Sequence, residues 1–108
     1  MIKKLVTITA LAMLLGSPAS YAVLKSGNDL VADCQLNIPL AEGVCYGYVF
    51  GVFDVSEAMG GICPPDGVVS EQIVSIVRKY LKENPESLHH SAASLVVLAL
   101  DTAFPCPD

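Results

Sequence analysis

Apolar residues in this chain recur with a helical period, interrupted at intervals by proline and glycine. Leu30, Val31 and Cys34 share one face of a helix expected over about 29–36. Asn28 is its plausible N-cap, Asp29 favours the positive end of the dipole, and Pro39 marks its end. A second helix is expected over about 41–58, with Gly43, Gly47 and Gly51 on one face. Glycine costs about 1 kcal/mol against alanine in a helix interior, so three of them weaken it. Their spacing makes a groove that another helix could approach closely, with Val49, Phe50, Val52 and Phe53 as bulk around it. Tyr48-Val49-Phe50 would also suit a strand, but the length suits a helix better.

Gly60-Gly61 ends this segment, and Pro64, Pro65 and Gly67 make the next connection turn-rich. Ser70 is the expected N-cap of a third helix over about 71–83. Ile73, Ile76, Val77, Tyr80 and Leu81 form its apolar stripe; Arg78, Lys79 and Lys82 lie off it, toward the C-terminal end. Asn84-Pro85 stops it. A last helix is expected from near Ser87 to about Ala103. From Ala92 to Leu100 only Ser94 is polar, which marks this helix as central. The fold class is therefore all-α, a small bundle of four main helices.

The first residues follow a different plan. Lys3 and Lys4 precede an uncharged run from Leu5 to Gly16; Ser17, Pro18 and Ala19 break it, and Ser20-Tyr21-Ala22 places small residues where signal peptidase reads. A membrane anchor needs roughly 20 apolar residues, more than this run has. Residues 1–22 are expected to be a signal peptide cut after Ala22, with Ala19 as the alternative. Residues 23–108 would form a single domain, led by an extended segment over 23–28.

Cleavage changes the charge. Taking 22 residues from 108 leaves 86, and it removes two of six bases but none of eleven acids, so the formal charge goes from −5 to −7. That argues against nucleic acid, which needs clustered Lys and Arg. It suits a basic partner, or plain solubility.

All four cysteines, Cys34, Cys45, Cys63 and Cys106, lie beyond the cut. An even count in a short exported chain reads as two disulfides. No C-x-x-C or H-x-x-x-H pair starts a zinc or thiol-redox site. Cys34 ends the first helix and Cys45 begins the second; Cys63 precedes the third and Cys106 follows the fourth. A hairpin at Pro39 and an antiparallel pair turning at Pro85 then bring together Cys34 with Cys45 and Cys63 with Cys106. So small a core is marginal alone, and these links staple it.

Catalytic candidates are sparse. His89 and His90 are the only histidines, and helix neighbours face different ways. Asp54 and Glu57 are three apart, but the chain offers too little surface for a glycosidase site. No G-x-S-x-G or phosphate-loop lysine is present. No active site, metal or cofactor is expected.

Several segments taken in order carry a resemblance. Ser26-Gly27-Asn28-Asp29-Leu30 leads to Cys34, and Cys45-Tyr46-Gly47-Tyr48-Val49-Phe50-Gly51-Val52 follows. Cys63-Pro64-Pro65-Asp66-Gly67-Val68, Gln72, Val77, Tyr80-Leu81, Asn84-Pro85 and Phe104-Pro105-Cys106 complete the set. No piece is specific alone. The ordered set, covering nearly all of 26–106, resembles the Rap/Tai-type immunity proteins, small periplasmic antidotes to peptidoglycan amidases injected by type VI secretion systems. The resemblance implies packed helices with disulfides and no catalysis. It also implies binding that occludes the cleft of a cognate amidase, often as a homodimer, with no membrane attachment after cleavage.

Interfaces of immunity proteins differ between toxin pairs, so contact residues do not transfer. Two exposed connections are the candidates: Pro64 to Val69, with Asp66, and Asn84 to His90, where Glu83, Glu86, His89 and His90 would protrude. Ordinary solvated loops are the competing reading. A small acidic exported helical protein would also suit an acid-activated periplasmic chaperone, or an orphan envelope protein of the same fold.

Overall fold

The computed structural model describes residues 24–108; the signal peptide expected over 1–22, with its cut at Ala22 or Ala19, lies outside the described residues. Four α-helices follow in order: α1 (Gly27–Gln35), α2 (Pro39–Ala58), α3 (Ser70–Glu83) and α4 (Ala92–Ala103), with a 3-10 turn at Pro85–Ser87. The all-α bundle expected from the apolar pattern is the fold observed. Every helix packs against the other three, most extensively α1 on α2 and α3 on α4.

Both disulfides are present as expected. Cys34 and Cys45 join α1 to α2 with Cα atoms 5.0 Å apart. Cys63 and Cys106 join the segment before α3 to the segment after α4, at 4.9 Å. A backbone bond from Cys63 N–H to the Phe104 carbonyl, 2.9 Å, lies beside the second link.

Local chemistry moves several boundaries from their expected places. Ser26, and not Asn28, caps α1: its hydroxyl accepts from Asp29 N–H while the Asp29 carboxylate accepts from Ser26 N–H. This reciprocal box satisfies two otherwise unpaired donors. Pro39 does not close α1 but stands in the first turn of α2, where its missing N–H costs nothing. Gly60 ends α2 with φ +72°. Gly61 N–H reaches Ser56 O at 2.8 Å and Gly60 N–H reaches Glu57 O at 3.0 Å, a Schellman closure that requires the left-handed residue. At α3 the cap position is Val69, with Ser70 already helical. Asn84 closes α3 through Nδ2, which donates to Tyr80 O at 2.8 Å.

The largest departure precedes α4, which begins at Ala92 and not near Ser87. Residues 88–92 instead pair with the lead segment. Gly27 N–H donates to His90 O, Asn28 N–H to Leu88 O and Ala92 N–H to Lys25 O, each at 2.9 Å, and Ser26 and Ser91 form an antiparallel bridge. Gly27 is needed there because a Cβ would stand 2.9 Å from the Leu88 carbonyl and collide with the Leu95 side chain.

The core draws on all four helices. Leu30, Val49, Val74, Val77, Val96 and Leu100 are fully buried, and α4 supplies five buried residues. Val97 and Leu98 of α4 face outward, however, so its apolar run is wider than its buried face. Val74 joins the stripe expected on α3, while Ile76 and Tyr80 are only half-buried. Gly43, Gly47 and Gly51 are exposed, with no atom within 4 Å of an added Cβ. Among the described residues, no helix enters the groove they form.

Candidate functional site

The C-terminal end of α3, the turn after it and the start of α4 form one corner of the molecule. Glu83, the last residue of α3, is exposed and stands 4.0 Å from Lys79, one turn earlier. Glu86 is exposed in the 3-10 turn. His89 and His90 are exposed too, but not as neighbours on a helix. They lie in the turn before α4, closed by His90 N–H on Ser87 O, where their rings come together with centroids 4.2 Å apart and planes 34° from parallel. These four residues therefore share the corner.

Asp66 does not. It is exposed on the connection between α2 and α3, at the other end of a helix of 14 residues. At 1.5 Å per residue that separates it from Glu83 by about 20 Å. The two connections considered from sequence are distinct surfaces.

Behind the corner lies a cavity of about 360 Å³ that the sequence reading did not anticipate. Val31 and Cys34 of α1 and Leu81 of α3 line it, Pro85 and Leu88 of the turn close one side, and Arg78 and Lys82 stand at it from successive turns of α3. Arg78 lies off the apolar stripe of α3. It is half-buried, with its guanidinium carbon 5.7 Å from the centre of the Tyr46 ring. That placement combines a cation over an aromatic face with a stem lying on apolar surface. Its Nε is buried without a hydrogen-bond partner. The spacing of 78 and 82, one turn apart beside the buried Leu81, was the available signal.

Tyr46 is fixed in turn by α3. Its hydroxyl donates to Glu71 Oε2 at 2.6 Å, and that bond holds the phenol above its ordinary pKa. Its ring meets Phe50 edge-on, with centroids 5.6 Å apart. No group of three or more metal-ligating side chains occurs among the described residues, and no helix among them is long and apolar enough to cross a membrane.

Fold and surface together define a small, disulfide-stapled helical domain whose notable features are exposed faces and the cavity between α1 and α3. Such a domain suits binding. The chain belongs to the Rap1a immunity protein family: the family model matches residues 26–106, from the Ser26 cap of α1 to the last cysteine. No curated protein matches the chain.

Proposed function

We propose that this protein is a periplasmic immunity protein that binds a cognate type VI secretion peptidoglycan amidase and occludes its active site, protecting the cell from self-intoxication. The observation that carries the reading is the family match over 26–106, which takes in all four helices and both disulfides. Export is part of the proposal, through a signal peptide over 1–22, because disulfides persist in oxidising compartments. Inhibition is steric and electrostatic. The exposed Glu83, Glu86, His89 and His90 make the corner after α3 the favoured contact, with Asp66 on a second surface.

The active species in this proposal is a homodimer joined through the glycine face of α2. Leu40 (80% exposed), Val44 and Val55 lie on that face with Gly47 and Gly51 at its middle, and Met59 (81% exposed) follows at its end. The ends of α2 favour an antiparallel copy. Its N-terminus has no side-chain cap and one acid, Glu42, in its first turn, while its last turn has no base and carries two acids, Asp54 and Glu57, nearby. Antiparallel pairing sets each acidic end beside the other helix's positive end.

Co-expression with candidate peptidoglycan amidases, first any encoded beside the gene, tests the main proposal. The protein is expected to prevent lysis by its cognate enzyme and to bind that enzyme by calorimetry. Failure to bind or protect against any peptidoglycan hydrolase would refute it. Charge reversal at Glu83 and Glu86 is expected to weaken binding chiefly through slower association; unchanged kinetics would remove this corner from the interface.

A further inference from the structure

We infer that the cavity between α1, α3 and the 84–88 turn is a binding site for a single carboxylate borne on a short apolar chain. This goes beyond the immunity reading and does not depend on it. Val31, Leu81, Pro85 and Leu88 give it mainly apolar walls, Cys34 and Gln35 complete them, and two cations, Arg78 and Lys82, line the same cavity. At about 360 Å³ the cavity is near the small end of ligand sites.

The charge pattern selects the head group. The described residues hold four bases against eleven acids. Lys25 pairs with Asp33 and Lys79 with Glu83, whereas Arg78 and Lys82 form no ion pair among the described residues. Two unpaired cations in so acidic a chain, at one apolar cavity, are a matched site for an anion. Arg78 is already partly desolvated, since its Nε is buried and unpartnered, and its planar fork suits a carboxylate. Exposed Glu83 and Glu86 nearby oppose a multiply charged anion such as a phosphate monoester, which limits the head to one negative charge. The apolar walls then receive the hydrocarbon.

Octanoate is the probe, titrated into the oxidised protein and followed by methyl NMR, with octanol and acetate as controls. Octanoate is expected to shift the Val31, Leu81 and Leu88 methyls saturably. Octanol should bind about a hundredfold more weakly for want of both charge-assisted bonds, and acetate should give no saturable shift. Arg78→Gln and Lys82→Gln should each weaken octanoate about tenfold and leave octanol unchanged. Equal affinity for octanoate and octanol, saturable shifts confined to other methyls, or no saturation at all would each overturn the assignment. If Arg78→Gln loses its helical circular dichroism, Lys82→Gln decides alone, and unchanged octanoate affinity in that variant overturns it.

Discussion

Gly27 lies directly against the backbone of Leu88. A Cβ on Gly27 would stand 2.9 Å from the Leu88 carbonyl oxygen and 3.0 Å from its Cα, and neither atom can turn aside as a flexible side chain could. Replacing glycine with alanine normally helps a helix. Here the sign reverses. Gly27→Ala is expected to destabilise the protein by about 1–3 kcal/mol, seen as a lower urea midpoint with an unchanged m-value, and to raise hydrogen exchange at the Gly27, Asn28 and Ala92 amides.

The glycines of α2 make the opposite case. Gly47 and Gly51 have open space where a Cβ would go, so alanine at either should stabilise the isolated chain by about 0.5–1 kcal/mol. If the proposed dimer closes through this face, the same substitutions weaken self-association. Thermal melts of dilute protein and sedimentation equilibrium should therefore move in opposite senses. A dimer unaffected by Gly47→Leu would exclude this face.

Asp29 gives α1 a pH dependence. Bonding from the Ser26 backbone, then from its side chain, with a smaller contribution from Lys25, holds the carboxyl below its ordinary value near 3.8. A depressed folded-state pKa means stability that is present above the ordinary value and lost as pH falls through the folded one. Asp29→Asn should thus be less stable than the parent at neutral pH, and the gap should close in acid titration below pH 3.8. Ser26→Ala should cost about 1 kcal/mol at neutral pH.

The two disulfides differ in access. Cys45 is fully buried and Cys34 is 7% exposed, whereas Cys63 is exposed and Cys106 half-buried. Exchange requires contact with the attacking thiolate, so limited reductant should open Cys63–Cys106 first, as read by alkylation and mass spectrometry. Its loop of 43 residues against 11 also makes it the larger constraint on the unfolded chain, about 4 against 3 kcal/mol as upper values.

Helix number, helix order and both cysteine pairs were legible from sequence because each depends on local period and on which ends a short connection brings together. The displaced features depend on partners far along the chain. Asn28 and Ser26 are both good caps, and Asp29 three residues after Ser26 was the deciding sign. The late start of α4 was not readable locally, since residues 88–92 are held by the backbone of Lys25, Gly27 and Asn28. The same pairing takes His89 and His90 off the helix and lets their rings meet. Three glycines in register announced a groove but not what would fill it. Periodicity put Arg78 off the apolar stripe, and only the packing of α2 on α3 places Tyr46 beneath it.

The order of the two cross-links bears on how the molecule is made. The cysteines pair in chain order, the first with the second and the third with the fourth, and the two rings do not interleave. If the chain is exported as proposed, it enters an oxidising space N-terminus first and exposes Cys45 while Cys34 is its sole available thiol partner, and that ring can close before Cys63 arrives. Cys106 then finds only Cys63 free. Correct pairing follows from the order of emergence, so oxidative folding can finish without a disulfide isomerase.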